Sequence, residues 1–128
     1  MQAEPARELF AHFTVFGPPQ PWQRAGSTRK GVRYTQAETK RYQLAIKTSW
    51  LMVGQRTLLW PKDCRYRLHV VAYFADNRRR DLDNVLKSVC DALNGVAYHD
   101  DSQINVMHVE RWVDEKRPRT LITVEVIG

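Results

Sequence analysis

Residues 68–74 constrain this chain more than any other stretch. The run Leu-His-Val-Val-Ala-Tyr-Phe is rich in β-branched and aromatic side chains and reads as a mostly buried strand. A polar stretch follows, and then the hydrophobic period changes. Leu86, Val89, Cys90 and Leu93 stand at i, i+3, i+4 and i+7, the apolar stripe of a helix that Asn94-Gly95 stops. A strand that hands over to an amphipathic helix across a polar junction implies a sheet with helices laid on it.

The rest of the chain supplies the other parts. Phe10–Phe16 alternates and reads as a first strand, ended by the Gly17-Pro18-Pro19 turn. Residues 20–34 are loop-like, with Arg24, Arg29, Lys30 and Arg33 interleaved with Trp22 and Tyr34. Thr35, with Glu38 three residues on, has the spacing of a capping box and predicts a helix from there to about Val53, stopped by Gly54. That helix carries two apolar stripes. Ala37, Leu44, Ala45, Leu51 and Met52 make one, and Tyr42, Ile46, Trp50 and Val53 the other. A helix apolar on two sides is expected to be buried on two sides, against the sheet and against another helix or a partner subunit. Strands over 103–113 and 120–127, joined by a polar turn over 114–118, look like a hairpin. The order strand, helix, strand, helix, strand, strand predicts an α+β fold. It would be one domain over 1–128, a mixed β-sheet of about four strands packed with two main helices, with residues 1–8 as a flexible extension.

Several classes are disfavoured at once. No apolar run approaches the ~20 residues of a membrane-spanning helix. Glu4, Arg7 and Glu8 fall where a signal peptide needs an apolar stretch. The expectation is a cytoplasmic protein with no membrane partner. Cys64 and Cys90 lack CxxC spacing, which argues against a thiolate zinc site and for free thiols in a reducing compartment. A net charge of +6 favours a polyanionic partner, nucleic acid before an acidic membrane surface.

Where the charge sits says more. Arg78-Arg79-Arg80 runs directly into Asp81-Leu82-Asp83-Asn84, and Asp100-Asp101 precedes the next strand. In extended backbone Asp81 and Asp83 would point to one face. Asp83 also falls where a helix N-terminus favours negative charge, with Lys87 one turn later. Like charges about 4 Å apart repel by roughly 4 kcal/mol at an effective dielectric of 20. Gathering such acids is therefore costly unless a cation or a proton is present, and oxygen-only ligands favour Mg2+ or Mn2+ over zinc. A basic track beside such a site suits cleavage of a polyanion, and the aromatic and basic residues of 20–34 suit a nucleic-acid backbone or an unstacked base. A plainer reading stands beside this one: Asp83 as a helix cap, Lys87 as its i,i+4 partner, and 20–34 as a solvated loop.

Arg80-Asp81-Leu82-Asp83-Asn84, Lys87, Asp91-Ala92-Leu93 and Asp100-Asp101-Ser102-Gln103-Ile104 together closely resemble the signature of the RusA family of Holliday-junction resolvases. The Gly17-Pro18 turn, Arg24 and Tyr34-Thr35 resemble that family's N-terminal half, so the resemblance runs from about Phe10 to Ile127. It implies a magnesium-dependent endonuclease that cuts four-way DNA junctions as a homodimer, in DNA recombination and repair, encoded by a bacterium or a bacteriophage. By position it makes Asp81, Asp83 and Asp101 the metal ligands and Lys87 the essential lysine. Asp100 stands second to Asp101, because strand alternation turns neighbours apart. Asp91, about 12 Å of helical rise beyond Asp83, reads as structural. His99 reads as a solvated loop residue, and Asn84 as orienting a carboxylate or capping the helix. Candidate DNA contacts are Arg24, Arg29, Lys30, Arg33, Arg78, Arg79 and Arg80. Ala25-Gly26 stand where the family pattern leads one to expect a second basic residue, so contacts from that loop should be weaker or different.

The expected chemistry is in-line attack of a metal-activated water on a phosphodiester, leaving a 5′-phosphate and a 3′-hydroxyl, with Lys87 stabilising charge or orienting the nucleophile. Paired nicks on symmetry-related strands match a two-fold dimer, for which the stripe containing Ile46 and Trp50 is the candidate interface. Two other classes use the same residues. One is a module of this fold that binds branched DNA without cutting. The other is a metal-dependent phosphohydrolase of nucleotides, which would not need the arginine run.

Overall fold

In the computed structural model, which describes residues 10–21, 30–53 and 63–128 and the side chains of these except 30–36, the sequence periods become layers. The elements are β1 (Phe10–Phe16), α1 (Lys30–Met52), β2 (Tyr66–Phe74), α2 (Leu82–Leu93), a 3-10 turn (Asp101–Gln103), β3 (Ile104–Val113) and β4 (Arg119–Val126). The four strands form one mixed sheet in the order β1-β4-β2-β3. This is the α+β arrangement, in the element order, that the sequence predicts.

Period two fixes which face is covered. Tyr66, Leu68, Val70, Ala72 and Phe74 of β2 are buried, as are Ala11, Phe13 and Val15 of β1 and Thr120, Ile122 and Val124 of β4. All of these except Ala72, Phe74 and Thr120 meet Tyr42, Ile46 and Trp50 of α1 and Val89, Cys90 and Leu93 of α2 in one core, while Ala72 and Phe74 form a smaller cluster with Val85 of α2. Phe13 packs edge-on to Trp50, with ring centroids 6.1 Å apart. The buried Thr120 hydroxyl pairs with the Tyr42 hydroxyl at 2.6 Å, so neither polar group is stranded in the core. The other face of the sheet carries Arg67, His69 and Tyr73 of β2 with His108, Glu110 and Trp112 of β3.

Three expectations are corrected. α1 begins at Lys30, five residues before the cap expected at Thr35. A cap preference is worth only about 1 kcal/mol, and no proline in 30–34 bars the helix from extending through it. The Gly54 stop lies outside the described residues; α1 ends at Met52, and Val53 still donates to Ser49 O at 3.1 Å.

The two stripes of α1 are not both buried within the chain. Ile46 and Trp50 are wholly buried, whereas Leu44, Leu51, Met52 and Val53 are exposed. The stripe expected at a subunit interface is therefore the core. It holds the bulkiest residues of the helix, and burying those removes most apolar area from water. A charge at Ile46 or Trp50 would test folding rather than dimerisation.

β3 and β4 do not form a hairpin, because β2 lies between them, parallel to β3 and antiparallel to β4. β2 is buried at every second residue and takes the centre of the sheet, with a partner on each side. Residues 114–118 need to span only two strand spacings, roughly 10 Å. Asp114 N fastens this crossing by donating to Phe74 O at 2.8 Å.

Candidate active site

The junction from β2 to α2 is held by its own charges. The Arg80 guanidinium lies 4.4 Å from the centre of the Phe74 ring. It donates to Asp76 Oδ1 at 2.8 Å and also to the carbonyls of Asp76 and Arg78. The Arg80 hydrogen bond, with the backbone amide of Arg78 behind it, holds the Asp76 carboxyl below the usual carboxylate range. Of the arginine run, then, Arg80 braces the loop. Arg78 is exposed, with a looser pairing to Asp76 at 3.6 Å, and Arg79, also exposed, lines a cleft.

The cap of α2 is Asp81, not Asp83. Asp81 has extended backbone, its Oδ1 accepts from Asp83 N at 2.9 Å, and its carbonyl accepts from Asn84 N and Val85 N at 3.2 Å. Asn84 Nδ2 donates to the other carboxylate oxygen, Oδ2, at 3.3 Å and so orients it. Asp83 already lies in the first turn of the helix, so the extended i, i+2 geometry expected for the pair does not apply. The helix starts one residue after Asp81 because an aspartate in extended conformation satisfies the free amides of a first turn.

Two clefts meet at Asp83. One, of about 520 Å³, is lined by Arg79, Arg80, Asp81, Leu82 and Asp83. The other, of about 270 Å³, is a groove between α2 and β3 lined by Asp83, Leu86, Lys87, Cys90, Asp91, Asp101 and Met107. Asp83, Lys87 and Asp91 stand at i, i+4 and i+8, one face of the helix. Asp101 comes from the turn before β3. That turn is built by its neighbours: Asp100 Oδ2 accepts from Ser102 N at 3.0 Å, and Gln103 Oε1 accepts from the backbone amides of His99 and Asp100. Gln103, buried, also donates to Cys64 O at 3.1 Å. Asp100 is thus engaged as a cap, its carboxyl held low by Ser102, while Asp101 lines the groove.

The groove shifts the groups along it. Burial raises the Asp91 carboxyl, Lys87 pulls it down and Asp101 pushes it up again. Burial pushes the Cys90 thiol up to about 11, with Asp101 adding to the effect. Cys90 is therefore a neutral wall of the groove and offers no thiolate. Both cysteines are free.

Among the described residues no salt bridge reaches Asp83, Asp91 or Asp101. Their oxygens suit a hard divalent cation in kind. They are not pre-gathered, however. Among the described residues the group of three whose ligand atoms lie within 4.8 Å of one another is His69, His108 and Glu110, and not Asp81, Asp83 and Asp101. Arg24 and Arg29 lie outside the described residues, as do the side chains of Lys30 and Arg33, whose backbone forms the first turn of α1. His99 is exposed and lines neither cleft.

The rise of about 12 Å from Asp83 reads Asp91 as structural, yet Asp91 lines the groove. The signal was present in its spacing of four from Lys87, which places it on the same helix face. In the sequence Gln103 stands out only as the last residue of the Asp100-Asp101-Ser102-Gln103 run. Its anchoring role needs the distant Cys64 carbonyl and has no local signature.

Comparison with known proteins matches residues 17–125 to the family Endodeoxyribonuclease RusA. The chain is also 34% identical over 97 aligned positions, with 72% of each protein covered, to the crossover junction endodeoxyribonuclease rusA of Enterobacteria phage HK97. The capped junction, the groove acids and Lys87 all fall inside the matched stretch, and the chain belongs to the RusA family of endodeoxyribonucleases.

Proposed function

We propose that this protein is a magnesium-dependent, structure-specific DNA endonuclease that resolves Holliday junctions by paired symmetric nicks. It acts as a homodimer in the bacterial cytoplasm, in DNA recombination and repair. The observation that carries the reading is the groove. Asp83, Lys87 and Asp91 on one face of α2 meet Asp101 there, and the cleft lined by Arg79 adjoins it at Asp83, in a chain of this family. The relative's name, a crossover junction endodeoxyribonuclease, supports the choice of substrate.

Asp81, Asp83 and Asp101 would hold Mg2+, with Mn2+ as a substitute. When bound, such an ion lowers the pKa of a water and offsets charge building on phosphate oxygens. Asp81 is fixed for the task by the cap and by Asn84. Lys87, one turn from Asp83, brings an ammonium to the phosphate, and the Asp91 carboxylate attracts it electrostatically along the helix. Arg78 and Arg79 hold flanking phosphates, which positions DNA without reading its sequence. Asp100 contributes through the shape of its turn. Paired nicks match a two-fold dimer. The apolar surface left open for one includes Leu44, Leu51 and Met52 on α1.

A gel assay with a four-way junction and a matched linear duplex, in Mg2+ or in EDTA, tests the reading. Symmetric nicks in the junction alone, dependent on Mg2+ and lost in Asp83→Asn, are expected. The separation of the carboxylates favours one second reading, a module that binds branched DNA without cutting. Tight junction binding with no nicking at any Mg2+ concentration would select it.

A further inference from the structure

β3 presents its two faces to different surroundings. Met107 turns toward α2 and lines the acidic groove, while His108 and Glu110 stand on the open face of the sheet. There His108 is the register partner of His69 on β2, and the two rings meet edge to face with centroids 4.5 Å apart. Glu110 is two residues further along β3 and so points to the same side. One of its oxygens, Oε2, lies 3.0 Å from His69 Nε2 and 3.0 Å from His108 Nε2. Its other oxygen accepts from Trp112 Nε1 at 3.0 Å.

We propose that His69, His108 and Glu110 bind a divalent ion of the zinc class on the open face of the sheet, separately from the carboxylates of the groove. The ligand atoms of all three already lie within 4.8 Å of one another. Donors around a tetrahedral zinc stand about 3.3 Å apart for metal–donor distances of about 2.0 Å, so the 3.0 Å separations need only small rotations to admit an ion. Two imidazoles and a carboxylate are a borderline set, suited to Zn2+, Co2+ or Ni2+ and unlike the all-oxygen set that Mg2+ takes. The Trp112 hydrogen bond to Oε1 turns Oε2 toward the histidines, the kind of outer contact that orients a metal ligand. All three ligands are partly exposed, at 40%, 57% and 33% of their side-chain surface, so an ion can enter and a fourth position stays open. Because the ligands come from β2 and from the edge strand β3, the ion ties that edge to the centre of the sheet.

Co2+ titration of the full chain, followed by visible absorption, tests this whether or not the nuclease reading holds. A tetrahedral Co2+ spectrum that saturates at one ion per chain is expected in the wild type and equally in Asp83→Asn, which removes a groove carboxylate. His69→Asn and His108→Asn should each weaken uptake by at least about 100-fold, and Trp112→Phe by about 10-fold. Zn2+ should raise Tm in the wild type and not in the histidine variants, since an ion that binds only the folded chain stabilises it. Unchanged spectra in both histidine variants would overturn the site. So would a strong near-ultraviolet thiolate band, which would place the ion on a cysteine, or no saturable uptake below about 1 mM.

Discussion

At the loops that leave β2 and β3, Asp76 is taken up by Arg80, at 2.8 Å, and Asp114 by Arg119, at 2.7 Å. In the groove along α2, Asp83, Asp91 and Asp101 have no such salt bridge among the described residues. Their surroundings treat a carboxylate in opposite ways. Arg80 and Arg119 hold Asp76 and Asp114 low, whereas burial raises Asp91. An acid that the fold itself satisfies contributes to stability and has few lone pairs left for a ligand. An acid left facing its like in a groove contributes repulsion, which a cation relieves. Asp81 stands between the two sets, since its side chain caps a helix and also borders the cleft beside Arg79.

The largest expected effect is on activity and separates the two regions directly. Asp83→Asn or Asp101→Asn should cut junction cleavage by at least about 10²–10³-fold. Tm should move by no more than about 2 °C, because neither change removes a salt bridge found among the described residues. Asp114→Asn should do the reverse, with cleavage kept and Tm lowered. If Asp83→Asn melts early and still cuts, the groove acids are structural and the comparison fails. Asp81 sharpens it. Asparagine still accepts from the Asp83 amide, so Asp81→Asn should keep Tm while losing cleavage. Asp81→Ala should lose the cap as well, about 1 kcal/mol or roughly 4 °C. Equal melting of the two variants would show that the cap bond contributes nothing.

How much of this was legible beforehand depends on range. The strand at Phe10–Phe16, the helix stripe of Leu86, Val89, Cys90 and Leu93, and the conjunction of acids with an arginine run are local patterns, and the sequence carries them openly. The position of β2 between β3 and β4 is set by competition among strands for a central place, which no window of residues contains. Thr35 shows the same limit in reverse: a true cap spacing was overridden by residues able to extend the helix. At the site, the i and i+2 spacing of Asp81 and Asp83 was visible. Which of them caps depends on a two-residue shift of the helix start, and element ends are the least legible feature of a sequence. Asp91 was legible as a helix-face neighbour of Lys87, but its inclusion in the groove needs β3 and the Asp101 turn packed beside it.

The comparison also predicts opposite signs against pH. Asp91 keeps its proton to higher pH in the folded chain than the ordinary value of about 3.9 in the unfolded one. Between those values the native state binds more protons, so its contribution to stability falls as pH rises through the window and stays lost above it. Asp91→Asn should therefore match the wild type in melts near pH 3 and exceed it at pH 7. A variant less stable at pH 7 would mean that the attraction of Lys87 outweighs burial.

Asp114 runs the other way and with the smallest effect, because it sits at an exposed turn. Its carboxyl is held low first by the Arg119 hydrogen bond and then by the amides of Arg117 and Lys116. The folded state therefore releases this proton before the unfolded state does. The stabilisation is fully present above the unfolded value of about 3.9 and disappears as pH falls through the lowered folded value. Asp114→Asn should lower Tm slightly at neutral pH, and the gap should close as both proteins are acidified. The same turn carries the crossing from β3 to β4, with Asp114 N bonded to Phe74 O and Arg119 stacked 3.9 Å from the centre of the Tyr73 ring. Arg119→Lys, which keeps the charge but not the planar guanidinium, should reproduce part of the loss without changing cleavage. A gap that persists unchanged below pH 3 would place the effect in that packing rather than in the carboxylate, and Asp114 would then no longer serve as the counterpart of Asp91.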